Sequence, residues 1–272
     1  YDQVGLPFIP PELRENRGEI EAAKKGRLPE LIRLSDIRGD LHCHTRATDG
    51  HHSAKQMAEA AAEHDYEYIS INDHSQHVTV AHGLNKKRLE EHIRKIDQLN
   101  EKFDRIVILK SIEVDILENG SLDLPDSVLK QLDFTTCSVH YKFNLSSKKQ
   151  TERILRAMDN PYFNILAHPT GRLINEREPY QIDLEKIMQA AKERGCFLEL
   201  NAHPSRLDLT DDACKAAKEM GLKLAISTDA HSTSDLDFMR FGVNQARRGW
   251  LEADDVINCQ SLKGLRKLFK RN

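Results

Sequence analysis

Short apolar runs alternate with amphipathic stretches along most of the chain. The apolar runs predict seven strands, each bounded by polar turn residues, at 37–43, 66–72, 106–114, 132–139, 163–167, 196–201 and 222–228. Between them, apolar residues recur with helical spacing and predict helices at 53–64, 85–102, 147–158, 183–194, 210–220 and 234–248. Two last helices, at 253–258 and 261–270, are predicted to close the bottom or the side of the domain.

This alternation predicts an α/β fold. Strands that alternate with helices are parallel and joined by right-handed crossovers. Histidines and carboxylates follow nearly every predicted strand, and that edge carries the active site in (β/α) barrels, whereas an open doubly wound sheet would concentrate them at one switch point. We therefore predict a distorted, TIM-like (β/α)7 barrel over residues 37–272, with a metal site at the C-terminal ends of the strands.

The first 36 residues differ in composition from the rest. They contain four prolines and a charged segment, and a short helix is predicted at about 11–25. We interpret residues 1–36 as a linker packed on the outside of the barrel.

The clearest motif is Asp40-Leu41-His42-Cys43-His44. On an extended strand, side chains two residues apart share a face, so His42 and His44 can hold one ion while Leu41 and Cys43 face the core. Similar residues follow the other predicted strands. The candidate metal ligands are His42, His44, Asp49, His74, Glu113, His140, His168, Asp229 and His231.

These nine donors exceed what one ion coordinates, so two or three ions that share a carboxylate are predicted. All are nitrogen or oxygen donors, which suits Zn²⁺, Mn²⁺ or Fe²⁺ and disfavours Mg²⁺ or Ca²⁺. Alternatives exist for single residues. A histidine can cap its strand by hydrogen bonding, Glu113 with Asp115 can belong to a solvated loop, and Asp49-Gly50 is also typical of a turn, which makes Asp49 the least secure ligand.

Five other histidines fit no strand-end pattern and are predicted to lie on the surface: His51, His52, His77, His82 and His92. His203 follows the sixth strand without a partner and is expected to face substrate. Arg172, Arg177 and Arg206 lie in the loops after strands five and six, where guanidinium groups match the geometry of phosphate; the alternative is a solvated surface arginine.

Such a site predicts hydrolysis of a phosphate ester. Clustered divalent ions lower the pKa of a bound water and neutralise charge on phosphoryl oxygens. The residues expected to carry catalysis are His42, His44, Glu113, His140, Asp229 and Arg172, and those expected to bind substrate are Arg172, Arg177, His203 and Arg206.

Charge and cysteine content limit the partners. The chain has 40 basic and 43 acidic residues, a formal charge of −3, so any nucleic-acid contact must come from local patches. Five cysteines without paired spacing predict thiols in a reducing compartment. No apolar run approaches a membrane span and the first residues lack the layout of a signal peptide, so we expect a cytoplasmic protein without a membrane partner.

Local basic groups could track a phosphodiester backbone. They are Lys86-Lys87-Arg88, Lys142, Arg247-Arg248 beside Trp250, and the tail at 263–271. Tyr141 and Phe143 could stack a terminal base, although core aromatic residues are the commoner explanation.

Several motifs together resemble the PHP (polymerase and histidinol phosphatase) superfamily. They are Asp40-Leu41-His42-Cys43-His44-Thr45 with Asp49-Gly50, Asn72-Asp73-His74, Glu113, Ser138-Val139-His140, Ala167-His168-Pro169 and Asp229-Ala230-His231. The stretches at 5–15, 18–22, 36–42, 168–173, 206–209 and 246–250 are similar to the C-terminal part of bacterial family X DNA polymerases. This resemblance covers essentially the whole chain, including the segment that would join a polymerase core.

The resemblance implies a trinuclear centre and a manganese-favouring 3′→5′ exonuclease that acts in repair on single-stranded or gapped DNA 3′ ends. It implies one ion held by His42, His44, Glu113 and Asp229, a second by Glu113, His140 and His168, and a third by Asp49, His74 and His231. Zn²⁺ or Fe²⁺ stay open as metals. The implied partners are DNA and an N-terminal polymerase core, which this chain lacks.

Other functions are also compatible with these residues. A phosphomonoesterase acting on a small metabolite, as in histidinol phosphatase relatives, would use the same ligands. The barrel could also be a metal-stiffened support without turnover. An amidohydrolase shares the His-x-His motif but expects a modified lysine after a middle strand, where this chain has Glu113.

Overall fold

A computed structural model describes residues 1, 3 and 5–270 of the chain. Its strands are β1 (Gly39–Asp40), β2 (Tyr68–Ile71), β3 (Val107–Lys110), β4 (Glu113–Asp115), β5 (Thr136–Ser138), β6 (Ile165–Leu166), β7 (Phe197–Asn201) and β8 (Leu224–Ser227). Its α-helices are α1 (Glu19–Lys24), α2 (Ala54–Glu63), α3 (Lys86–Asn100), α4 (Asp126–Leu129), α5 (Ser147–Met158), α6 (Leu184–Arg194), α7 (Asp211–Glu219), α8 (Met239–Arg248) and α9 (Leu262–Leu268).

The strands form one closed ring. All neighbouring strands are parallel, in a sheet β1-β2-β3 and a sheet β4-β5-β6-β7-β8. The predicted strand at 106–114 is broken between Lys110 and Glu113, and its halves pair with different neighbours. Parallel bridges His74 to Glu113 and Cys43 to Ala230 join the two sheets. The predicted seven-stranded barrel is therefore confirmed, with its third predicted strand divided into β3 and β4.

The lower half of the barrel interior is apolar. Its inward side chains are Leu41, Tyr68, Leu109, Phe134, Ile165, Phe197 and Ala225. Leu265 of α9 and the following Phe269 complete this cluster, and Phe269 stacks on Phe134 with ring centroids 4.4 Å apart. The last helix therefore closes the bottom of the barrel, at the amino-terminal ends of the strands.

Towards the carboxyl ends of the strands, the inward side chains become polar. Asn72 donates hydrogen bonds to the hydroxyls of Ser111 (2.9 Å) and Thr136 (2.8 Å). Both hydroxyl-bearing residues are buried. Because buried polar groups need partners, this network supports a polar mouth above an apolar floor.

Leu41 and Cys43 are both buried in the core, as predicted, but the prediction that they share one face was wrong. Leu41 packs inside the barrel, whereas Cys43 belongs to the larger cluster between the strands and the outer helices. β1 ends at Asp40, so the two-residue alternation does not continue through the His-x-His motif.

The N-terminal segment packs on the outside of the barrel. Leu13 and Ala23 lie with Ile9 and Leu31 in a small apolar cluster that Trp250 borders. The predicted helix at 11–25 was wrong, because Gly18 has a left-handed backbone with φ of 96°. That glycine precedes α1, and a short 3-10 helix, Pro11–Leu13, lies before it.

Ion pairs fasten this segment to α7 and α8. Arg247 contacts Glu12 at 2.8 Å, and Arg17 contacts Asp211 at 2.9 Å. Arg248 also reaches Asp211, at 3.2 Å. The first two contacts join residues 235 and 194 positions apart in the chain, whereas the contact of Arg248 with Asp211 joins α8 to α7.

Three other boundaries differ from the prediction. The helix predicted at 234–248 starts as a 3-10 helix, Thr233–Phe238, before α8. The segment 253–258 forms 3-10 turns at Ala253–Asp255 and Ile257–Cys259, and α4 was not predicted. Within the described residues, no helix is both long and apolar enough to cross a lipid bilayer.

Candidate metal centre

The structure brings the nine predicted ligands together at the mouth of the barrel. Eight of them lie at or after the carboxyl end of a strand, Asp49 in the loop after β1, whereas Glu113 begins β4. Two of them, His168 and Asp229, have left-handed backbones, with φ of 27° and 57°. Such conformations cost free energy in residues other than glycine, and they are frequent at functional sites.

Glu113 is the centre of the cluster, and it is 1% exposed. The imidazole nitrogens around its two oxygens belong to His74 (2.8 Å), His168 (2.9 Å), His140 (3.2 Å), His42 (3.6 Å) and His44 (3.6 Å). Burial alone would raise the pKa of Glu113, but the surrounding histidines, His140 foremost, outweigh it and hold the pKa well below its usual range. Glu113 is therefore an anion shared by five rings.

The donor atoms form three overlapping groups. They are His44, Asp49, His74 and His231; His42, His44 and Asp229; and His74, Glu113 and His140. Within each group the donor atoms lie within 4.8 Å of one another. His168 adjoins the third group through the same oxygen of Glu113 that faces His140. The resemblance implies that His44 and His74 each bind one ion. In the structure, each of these two residues belongs to two of the three groups.

The arrangement fits divalent cations. Nε2 of His44 lies 3.2 Å from Nε2 of His42 and 3.1 Å from Oδ1 of Asp229, so two ring nitrogens and a carboxylate converge on one point. Nδ1 of His44 is buried, lies 3.7 Å from Oδ1 of Asp49 and has no hydrogen-bond partner among the described residues. Converging nitrogen and oxygen donors of this kind suit Zn²⁺, Mn²⁺ or Fe²⁺.

The electrostatics of the bare cluster agree with this fit. Burial lowers the pKa of His74, but Glu113 and Asp49 outweigh it and raise that pKa to about 10. In the same way the nearby carboxylates raise the pKa values of His140 and His231 to about 9. Burial and the neighbouring His231 lower the pKa of His44 to about 4. The carboxylates thus hold positive charge in the centre, which bound cations supply in place of protons.

Buried acceptors orient the ligand rings from behind. Oε1 of Glu199 lies 2.8 Å from Nδ1 of His42, and Oε2 accepts a hydrogen bond from the backbone N–H of His168 at 2.8 Å. Nδ1 of His140 lies 3.1 Å from Asp115. Such contacts fix the orientation and basicity of ligating histidines. The solvated-loop alternative for Glu113 and Asp115 was wrong, since both side chains are buried.

Sequence reasoning missed Glu199. The residue lies in the middle of β7, in the run Phe197-Leu198-Glu199-Leu200-Asn201. A carboxylate inside an apolar strand was the available signal, because a buried charge requires a partner.

The prediction that His92 lies on the surface was also wrong. His92 is 8% exposed, and its Nε2 lies 3.1 Å from Oδ2 of Asp73. Asp73 also accepts hydrogen bonds from the backbone N–H of Thr45 (2.8 Å) and the hydroxyl of Thr48 (2.6 Å). Asp73 therefore anchors the loop between the ligands His44 and Asp49. Of the other four histidines that were predicted to lie on the surface, His51, His77 and His82 are exposed and His52 is half-buried.

Among the predicted arginines, Arg206 reaches the metal centre. Its Nε lies 3.3 Å from Oδ2 of Asp229, and its Nη1 is buried without a hydrogen-bond partner in the described part of the chain. Arg172 instead donates from Nε to the carbonyl of Arg206 at 2.7 Å and from Nη2 to that of Leu207. Arg172 thereby supports the loop that carries Arg206.

The other two predicted substrate contacts, Arg177 and His203, have partners that are not metal ligands. Arg177 donates to the carbonyl of Gly171 at 2.8 Å and stacks over Phe143 at 4.2 Å. His203 lies 2.8 Å from the hydroxyl of Ser205, and burial lowers its pKa. Their substrate-binding roles stay predictions.

Several groups considered for DNA contact have other partners. Arg247 and Arg248 pair with Glu12 and Glu15, each at 2.8 Å. Tyr141 contacts His77 with ring centroids 4.3 Å apart and lies under the guanidinium of Arg153 at 4.6 Å, while Phe143 is covered by Arg177. The basic tail lies at the bottom of the barrel with α9, and its residue 271 is outside the described residues.

Comparison with known proteins gives a family match. The model of the PHP domain family matches residues 40–203. The chain is 44% identical over all 272 residues to the "DNA polymerase/3'-5' exonuclease PolX" of Bacillus subtilis, covering 100% of this chain and 47% of that protein. The chain thus spans about half the length of this relative.

Phosphatases appear among the other similar proteins. A probable phosphatase of Thermoanaerobacter sp. is 31% identical over 230 residues, covering 80% of this chain and 89% of that protein. The crystal structure of the putative histidinol phosphatase hisK of Listeria monocytogenes aligns with TM-score 0.59 and 18% identity, over 73% of this chain and 97% of that one. The histidinol phosphate phosphatase of Lactococcus lactis, complexed with Zn, L-histidinol and phosphate, aligns with TM-score 0.57 and 19% identity, over 77% and 94%.

Proposed function

The chain belongs to the PHP domain family, and on that premise we propose that it is a metal-dependent phosphodiesterase that removes nucleotides from the 3′ ends of DNA. Two findings support the proposal: the nine nitrogen and oxygen donors at the barrel mouth, and full-length similarity to a relative named as a polymerase and 3′-5′ exonuclease. Since this chain spans 47% of that relative, a polymerase core as partner in a longer protein is part of the same proposal.

The observation that carries the proposal is the cluster of nitrogen and oxygen donors gathered around the buried Glu113, with Arg206 in contact with the ligand Asp229. Divalent cations bound by these donors would supply a water of lowered pKa and neutralise charge on phosphoryl oxygens. We propose Mn²⁺ as the activating metal, with Zn²⁺ or Fe²⁺ as alternatives. His42, His44, Glu113, His140 and Asp229 would hold the cations that face the reacting phosphate, and Asp49, His74, His168 and His231 would complete the centre.

The remaining chemistry comes from residues around the ligands. Arg206 would donate from its guanidinium to a non-bridging oxygen of the substrate, since the contact with Asp229 fixes the direction of its planar fork of donors. Glu199 and Asp115 would keep the rings of His42 and His140 in one orientation. The site therefore needs no separate protein base.

The experiment uses a 5′-labelled single-stranded oligonucleotide with Mn²⁺. The wild-type protein should shorten it stepwise from the 3′ end. His140→Ala should abolish shortening, and His82→Ala, which changes an exposed histidine, should not. Equal shortening by wild type and His140→Ala would contradict the proposal.

A phosphomonoesterase is the second candidate, favoured by the 31% identical probable phosphatase that this chain covers over 89% of its length. If the chain is a phosphomonoesterase, it should release phosphate from small esters faster than it hydrolyses any oligonucleotide. Substrates that end in a 3′-hydroxyl, a 3′-phosphate or an abasic site separate these activities. Full metal loading without any turnover would instead indicate a structural module.

A further inference from the structure

A groove lies on the flank of the barrel beside the metal centre, between the start of α2 and the second half of α3. Its volume is about 460 Å³. Four basic side chains line it, those of Arg46, Lys55, Lys95 and Lys102, and none of its lining residues in the described part of the chain is acidic. Leu99, Ala47 and Ala54 add apolar surface above the buried Ile96. The groove therefore combines positive charge with an apolar floor.

These cations are largely unneutralised. Within the described residues, neither Lys95 nor Lys102 has a carboxylate oxygen within 4.0 Å. Lys55 contacts Glu59 at 3.5 Å, but the two side chains are 63% and 50% exposed, so solvent screens the pair. Arg46 donates to the backbone carbonyl of His51. In a chain with a formal charge of −3, this is a local site for a polyanion.

The groove shares a wall with the metal centre. Thr45, Arg46 and Ala47 line it, and these residues lie between the ligands His44 and Asp49. The carboxylate of Asp73 holds Thr45 and also contacts His92, which lines the groove from α3. A chain held in the groove would therefore lie next to the loop that carries a ligand at each end.

We propose that this groove binds the backbone of a single-stranded polynucleotide whose 3′ end occupies the metal centre, an inference that rests on the proposed exonuclease function. Phosphates would contact the lysines and Arg46, and the sugar and base faces would pack on Leu99, Ala47 and Ala54. Unpaired cations along an apolar groove are the features with which proteins bind single strands without sequence preference.

The binding test uses the metal-loaded protein and a fluorescent dT12 whose 3′-terminal linkages are phosphorothioates. The double variant Lys95→Ala/Lys102→Ala should weaken binding about tenfold at low salt. It should also reduce the slope of log K against log salt by roughly 1.4, because each phosphate that a lysine neutralises on a single strand adds about 0.7 to that slope. The matched control, Lys24→Ala/Lys25→Ala, removes two exposed lysines at the end of α1 in the N-terminal segment and should bind as wild type does.

The kinetic test uses strand length. The loss of kcat/KM in the groove variant should grow from dT2 to dT12, because only the longer strand reaches the groove. Wild-type hydrolysis of bis(4-nitrophenyl) phosphate tests the proposed chemistry separately. If wild type hydrolyses this diester and the groove variant keeps the wild-type salt slope, the groove proposal is overturned and the proposed function stands.

Two further outcomes decide which class of molecule the groove binds. If wild type hydrolyses neither the small diester nor dT12, the proposed function fails, and the salt slope alone then supports or overturns polynucleotide binding in the groove. If polyglutamate of equal charge displaces dT12 from wild type as well as unlabelled dT12 does, the assignment to a polynucleotide is overturned.

Discussion

Oε1 of Glu199 lies 2.8 Å from Nδ1 of His42, and neither side chain is exposed to solvent. The carboxylate fixes which nitrogen of His42 carries the proton, so that Nε2 faces the ligand cluster. We expect Glu199→Gln to weaken metal binding about 10- to 100-fold, the usual effect of changing a residue that orients a ligand. Competition with a chromogenic chelator measures the change.

The control for this variant is Glu193→Gln, which changes an exposed glutamate of α6. It should bind metal as wild type does. Unchanged metal affinity in Glu199→Gln, with the fold intact by circular dichroism, would show that His42 does not depend on Glu199 for its orientation.

Arg206 offers a test of substrate contact. Arg206→Ala should lower kcat/KM on oligonucleotides about 10- to 100-fold, since a hydrogen bond to a charged group contributes about 1.5–3 kcal/mol. Arg206→Lys should restore only part of the loss, because an ammonium cannot reproduce the planar fork of donors. Metal content is measured in parallel, because Arg206 also contacts the ligand Asp229. Activity at the wild-type level with full metal content would exclude a role in substrate binding.

Arg172 should behave differently from Arg206. Its guanidinium donates to the carbonyls of Arg206 and Leu207, so Arg172→Ala leaves two loop carbonyls without these donors. We expect a loss of about 1–3 kcal/mol in the free energy of unfolding, measured by urea denaturation. Arg206→Ala should cost less stability than this. A variant at position 172 with wild-type stability and no activity would instead favour direct contact with substrate.

Docking of the N-terminal segment should depend on pH. Burial raises the pKa of Asp211, but Arg17 and Arg248 outweigh it and lower that pKa below its usual value. A lowered pKa in the folded state gives stability that is present above the unfolded pKa of about 3.9 and lost as pH falls through the folded value. The segment should therefore stay docked at neutral pH and release below about pH 4.

An acid-stable protease measures this release as cleavage within residues 1–36. In Asp211→Asn the segment should already be cleaved faster at neutral pH, and the acid-dependent increase should be smaller. Release that begins near neutral pH in the wild-type protein would contradict the assignment to this carboxylate.

The positions of the ligands followed from the sequence because the carboxyl ends of parallel strands meet at one edge. His140, His168 and Asp229 each follow an apolar run, so their encounter required only the correct strand assignment. The closed barrel was predictable for the same reason, since such residues follow nearly every strand.

Features that depend on a single side chain facing a single neighbour were not predictable in this way. His92 lies beside the apolar stripe of α3, and only the position of Asp73 shows why it is buried. The break after β1 shifts Leu41 to the inside of the barrel, and no residue type at that point predicts the shift. The contacts of Arg17 and Arg247 with the rest of the protein join distant parts of the chain, for which local periodicity gives no signal.

The donors of the centre lie at different depths. His42 and His44 are completely buried, whereas the side chains of Asp49 and His231 are each 32% exposed. A cation that enters the inner positions must therefore give up more of its hydration shell than one held by Asp49 and His231, which lie closer to bulk water. Metal exchange should consequently be ordered in time, with the outer ion leaving first under a chelator and returning last, so that partial loading is an intermediate state of the protein.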